Sequence, residues 1–145
     1  MSRPAARARP LSPHLTIWRW GPHMLVSILH RVCGVVLATV GTGMFVWWLA
    51  ALASGPESYA VFYRWVVDSG DDAVIPSLFN GLTLVVAIGL SYAFFQHLAN
   101  GVRHFVLDLG AGYELRVNKL GALATIAFAV IATAAMWAII FTKGG

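Results

Sequence analysis

Residues 32–56, VCGVVLATVGTGMFVWWLAALASGP, run for 25 positions without one Asp, Glu, Lys or Arg. At 1.5 Å rise per residue, a bilayer core of about 30 Å needs about 20 helical residues, so this stretch is long enough to cross once and too short to cross twice. Working outward, residues 73–102 and 120–142 are equally free of charge, over 30 and 23 positions. The three runs fill more than half of the 145 residues, and only 11% of the chain is charged, against about a quarter in an ordinary soluble domain. The sequence therefore predicts an all-α integral membrane protein with three transmembrane helices, at about 24–53, 77–109 and 118–142. What lies outside them is divided among two ends and two short loops, too little for a soluble catalytic domain.

The flanks supply organisation and orientation. Residues 1–23 carry Arg3, Arg7, Arg9 and Arg19, no acid, and Pro4, Pro10, Pro13 and Pro22; the prolines forbid a long helix before Pro22 and predict an irregular arm at the membrane surface, anchored by Ile17, Trp18 and Trp20. Residues 54–76, with Glu57, Asp68, Asp71 and Asp72 against Arg64, read as an acidic loop. Gly110 and Gly112 end the second helix, residues 112–119 form a second loop, and eight alanines between Ala122 and Ala138 mark the third as a close-packing helix without polar groups for chemistry. Lys and Arg concentrate in the arm and around Arg103, Arg116 and Lys119, which predicts a cytoplasmic or matrix-facing N-terminus and second loop, with the acidic loop and C-terminus outside. One cysteine, Cys33, excludes an intrachain disulfide or a cysteine-ligated cluster, and the scattered cations form no basic face for nucleic acid. The chain reads as a single membrane-anchor domain over 1–145.

Ionisable side chains near a span are costly, which singles out Ser27, His30, Arg31, His97, Arg103, His104 and Asp108. Ser27 and Arg31 are four apart on one helical face, with His30 adjoining, so a hydroxyl, a guanidinium and an imidazole could hydrogen-bond a carbonyl; alternatively Arg31 snorkels to lipid phosphate and Ser27 bonds the backbone. His97 and His104 are seven apart, two turns on one face and about 10 Å along the axis. That spacing suits a tetrapyrrole standing edge-on, with His97 on iron and Arg103 and His104 near propionates, although either histidine could simply pack. Asp108 and Glu114 read as interfacial ion-pair partners of Arg103 and Arg116. No second deep histidine is present, so a bis-histidine haem needs a ligand from another subunit. No phosphate loop, hydrolytic triad or HExxH occurs, and no catalytic residue is assigned.

Arg9-Pro-Leu-Ser-Pro-His14-Leu-Thr-Ile17, then Ser27-Ile-Leu-His30-Arg31-Val-Cys-Gly34, then His97-Leu-Ala-Asn-Gly101-Val-Arg103-His104 with Asp108 and Gly110, resembles the cytochrome b556 membrane anchors of succinate dehydrogenase, the succinate:ubiquinone oxidoreductase known as respiratory complex II. The resemblance spans roughly residues 9 to 140. It departs at Trp18, where tyrosine is common, at Cys33, where threonine or serine is common, and at Leu107, where tryptophan is common. It implies a heteromeric helix bundle with a second anchor subunit, below a flavoprotein that oxidises succinate and an iron-sulfur subunit that relays electrons to ubiquinone, in a bacterial inner membrane. It further implies Ser27 and Arg31 at the quinone, His97 as axial ligand of a haem b shared with the other anchor subunit, and His30, Arg31 and His104 at the propionates. The isolated chain is expected to have no activity. Alternatives are a fumarate reductase anchor working with menaquinone, or a haem-free assembly or transporter subunit.

Overall fold

The computed structural model describes residues 17–68 and 76–143, with side chains described from residue 80 onward in the second stretch. The expectations that rest on Arg3, Arg7, Arg9, His14, Asp71 and Asp72 lie outside the described residues. The described chain is helical: α1 Pro22–Val36, a single π turn Leu37–Gly41, α2 Thr42–Ala53, α3 Pro56–Val66, α4 Pro76–Asp108 and α5 Leu115–Lys143. Three rods are long and apolar enough to cross a membrane: Pro22–Ala53, Asn80–Asp108 and Leu115–Lys143.

The ends follow from local chemistry. Pro22 opens α1 where its missing N–H costs nothing, behind an extended Gly21 whose carbonyl accepts from the Met24 amide at 3.0 Å. Gly110, at φ 81°, closes α4 in a left-handed conformation: its amide donates to the Leu107 carbonyl at 2.9 Å and the Ala111 amide donates to Val106 at 3.3 Å. This pair of bonds is a Schellman cap, available to glycine without a Cβ penalty. Within the first rod, the Thr42 hydroxyl donates to the Leu37 carbonyl at 3.2 Å across the π turn.

Two expectations need correction. The acidic segment after the first span is not all loop, since α3 occupies Pro56–Val66. Its reason is readable locally: proline in the first turn, Glu57 at the N-terminal end and Arg64 in the last turn complement the helix dipole. Phe62 is buried and meets Trp47 of α2 edge-on, with ring centroids 5.1 Å apart. The third span starts at Leu115, earlier than expected, so the second loop shrinks to the few residues after Asp108 and the Asn118 amide is already bonded to the Glu114 carbonyl at 2.8 Å.

The three rods pack against one another, α4 touching both α1 and α5. Small residues make the contact: Ala93 on α4, and Ala122, Thr125, Ala129 and Thr133 at three- and four-residue spacing on α5, are buried. Thr125 and Thr133 turn their hydroxyls to the α5 backbone at Ala122 and Ala129, so the stripe presents methyl groups. Most large apolar side chains, from Ile28 and Val32 to Phe141, point outward. In water such a surface would be an aggregation hazard; against lipid tails and partner helices it is the expected one.

Candidate functional site

On α1, Val26, His30, Cys33 and Gly34 lie at three- and four-residue spacing and turn one face toward α4. On α4, His97, Asn100 and His104 form the answering face. The rings of His30 and His97 stack with centroids 3.9 Å apart and planes 5° from parallel, and the His104 ring lies 5.1 Å from that of His30. The two spans meet this closely because position 34 is glycine. A Cβ there would stand 3.0 Å from His97 Cε1 and 3.4 Å from its Nδ1.

His97 is held by more than packing. Its Nδ1 lies 3.1 Å from the His30 carbonyl oxygen. A carbonyl can only accept, so the bond puts the proton on Nδ1 and leaves Nε2 with a free lone pair, the arrangement a metal-binding imidazole needs. The Nδ1 of His30 is buried and has no hydrogen-bond partner among the described residues. A buried polar atom of that kind is costly unless something satisfies it. Among the described residues no group of three or more His, Cys, Asp or Glu could hold a metal ion between them.

The remaining candidates separate into two sets. Ser27 and Arg31 are exposed on the side of α1 away from the core, beside the outward-facing Ile28 and Val32. Arg103 turns toward α5: Nη2 donates to Asn118 Oδ1 at 2.8 Å and Nη1 to Asn100 Oδ1 at 3.5 Å, with its Nε 3.6 Å from where a Cβ on Gly121 would be. It thus ties α4 to α5 through asparagines, Asn118 at the start of α5 serving the packing of the two spans. Asn100 also places Nδ2 3.4 Å from both the Val26 carbonyl and His104 Nε2. Asn100 and Gln96 are wholly buried. Sequence reasoning passed over both, although an amide inside a charge-free run, three residues after one histidine and four before another, was the signal.

Fold and site together define a small integral membrane protein that crosses three times and gathers imidazoles between its first two spans. The chain matches the succinate dehydrogenase/fumarate reductase transmembrane subunit family over residues 5–136, and it belongs to that family. It is 30% identical to the succinate dehydrogenase cytochrome b556 subunit of Rickettsia typhi over 129 residues, 89% of this chain and 90% of the relative. It is 32% identical to the b556 subunit of Paracoccus denitrificans over 123 residues, 85% of each chain. With the mitochondrial cytochrome b560 subunit of Mus musculus it shares 32% identity over 131 residues, 90% of this chain and 71% of the relative.

Proposed function

We propose that this chain is the haem b-bearing membrane anchor of a succinate dehydrogenase, and that it helps pass electrons from an iron-sulfur partner to ubiquinone. The observation that carries the reading is the His97 imidazole, tied by Nδ1 to the His30 carbonyl with Nε2 left free, in a cluster with two further histidines. The names of the relatives, cytochrome b556 and b560 subunits of succinate dehydrogenase, support it.

His97 Nε2 would hold the haem iron, together with a ligand from the other anchor subunit. His30, whose buried Nδ1 lacks a hydrogen-bond partner among the described residues, and His104 would hydrogen-bond the propionates, with Arg31 adding positive charge. Arg103 would act on that edge through Asn100 and His104, since its guanidinium is engaged with Asn100 and Asn118. When bound, haem b supplies a reversible one-electron store whose potential is set by axial ligation and a low-dielectric setting. Ser27 would donate to a quinone carbonyl, and Arg31 would stabilise the negative charge that develops on the quinone oxygen. The balance is two electrons from succinate, oxidised to fumarate on a flavoprotein partner, and two protons taken up by the quinone to give the quinol. The outward exposure of Ser27 and Arg31 suits a site closed by partner subunits. The Lys and Arg distribution supports a cytoplasmic N-terminus in a bacterial inner membrane, where the soluble partners would dock.

The test is the visible spectrum and quinone content of the purified complex. A low-spin b-type spectrum with ubiquinone extracted alongside is expected. Absence of haem would favour a plain assembly anchor, and menaquinone with preferred fumarate reduction would reverse the direction.

A further inference from the structure

We propose that Asn100 is a positioning residue for His104: its carboxamide, oriented from the far side by Arg103 and Asn118, fixes which ring nitrogen of His104 carries the proton and so which is left to donate to a haem carboxylate. The proposal rests on the haem reading above. It starts at α5, where Asn118 Oδ1 accepts from Arg103 Nη2 at 2.8 Å, while Nη1 of the same guanidinium reaches Asn100 Oδ1 at 3.5 Å. A guanidinium can only donate, so the atom of Asn100 that faces it is the oxygen. The amide nitrogen must then face the other way, where the Val26 carbonyl and His104 Nε2 each lie 3.4 Å off. An amide NH2 only donates; Nε2 accepts, and the proton of the neutral ring sits on Nδ1.

The bonds to Asn100 are long individually, yet they agree in direction. The two groups that decide the sense of the chain, a guanidinium and a backbone carbonyl, have no alternative role to take. Asn100 is wholly buried and cannot trade these contacts for water. A leucine of similar size would fill the same space and leave His104 free to take either tautomer. The relay thus runs from the third span, through the second, to a ring on the far face of that span, and it acts through His104 without touching the haem.

The test uses the purified, assembled complex, whose unaltered haem spectrum is recorded first; lack of a b-type haem at that stage would overturn the haem reading itself and this proposal with it. In Asn100→Leu the haem content and low-spin spectrum should persist, because His97 is untouched. The equilibrium constant for haem reduction should change by about tenfold, which for one electron is about 59 mV in midpoint potential. Asn118→Leu should shift it less and in the same direction, and Asn118→Asp, which keeps an acceptor for Arg103, should restore it. In a His104→Ala background neither leucine variant should add anything, since both act through that ring. A shift that survives undiminished in that background, or no shift in either variant, would overturn the proposal. So would loss of haem and of assembly in both leucine variants, because the relay would then serve helix packing alone.

Discussion

At the scale of single residues, His97 and Gly34 form one device. His97→Ala removes the imidazole whose Nε2 is left free by the bond from Nδ1, so the complex should lose haem or carry it high-spin, whereas His104→Ala should keep a low-spin haem at a shifted potential; an unchanged low-spin optical spectrum in His97→Ala would refute the ligand assignment. Gly34→Ala is the subtler probe. Its new Cβ would sit 3.0 Å from His97 Cε1, so the ring must yield by a few tenths of an ångström and strain the 3.1 Å bond to the His30 carbonyl. Losing one such bond is worth about 1 kcal/mol, or roughly fivefold in haem retention, measurable as haem transfer to a competing apoprotein; retention equal to that of the unaltered complex would mean that Gly34 is there only for helix packing. Spacing alone brought His97 and His104 onto one face of a helix. That His30 would stack on His97, and that Arg103 would turn to α5, depends on the rotation of α1 and α5 about their own axes, which no periodicity within α4 encodes. Asn100 was overlooked for the same reason, because its meaning comes from groups on two other helices.

At the scale of elements, the π turn Leu37–Gly41 carries a register. A π turn is an α-helix with one extra residue, so it rotates everything beyond it by about 100° relative to an unbroken helix. On its near side His30, Cys33 and Gly34 face α4; on its far side Ala51 is buried and Trp47 meets Phe62. Deleting the exposed Ala38 takes out the extra residue, so the turn should become ordinary helix with the far side facing as before, and both haem, held on the near side, and the packing of α3 should remain. Inserting one alanine after Gly43 in that deletion variant restores the length without the turn, rotates the far side by about 100° and should unseat α3 while haem remains. Haem content together with protease sensitivity of α3 reads both outcomes, and an unchanged α3 after the insertion would show that the turn carries no register. The spans themselves were legible because a charge-free run longer than a bilayer has no other use. The π turn was not, since its residues, Leu37-Ala-Thr-Val-Gly41, suit an α-helix equally well. Helix α3 left signals in Pro56, Glu57 and Arg64, but an acidic stretch between two spans is more readily taken for a loop.

At the scale of the whole molecule, the outward-facing apolar surface and the exposed Ser27 and Arg31 suit the proposed place of the chain beside partner subunits. Its orientation can be read with single cysteines at Ser2 and Ser69 in a Cys33→Ala chain. An impermeant thiol reagent should reach Ser69→Cys but not Ser2→Cys from outside intact cells, and the opposite pattern would invert the topology. With that orientation the proposed function would bring electrons in on the N-terminal side, where Ser27 and Arg31 stand, and catalysis can be separated from assembly. On the proposed function succinate is oxidised on a flavoprotein partner, so Ser27→Ala and Arg31→Leu should leave reduction of a small artificial acceptor nearly intact while ubiquinone reduction falls. Removing a donor to developing charge in a preorganised site costs about 2.7 to 4 kcal/mol, a hundred- to thousandfold in rate. Arg31→Leu should reach that range because, on the proposed function, it removes a charge shared by quinone and propionate, and Ser27→Ala, losing a neutral donor, should fall below it. If Arg31 merely snorkels to lipid phosphate, Arg31→Lys should be almost neutral, since an ammonium reaches phosphate equally well. If it orients a quinone or a carboxylate, Arg31→Lys should be impaired as well, because a point charge cannot reproduce the two-pronged guanidinium. Parallel assays with both acceptors, on membranes matched for complex content, decide between them, and normal ubiquinone reduction in Arg31→Leu would remove Arg31 from the site.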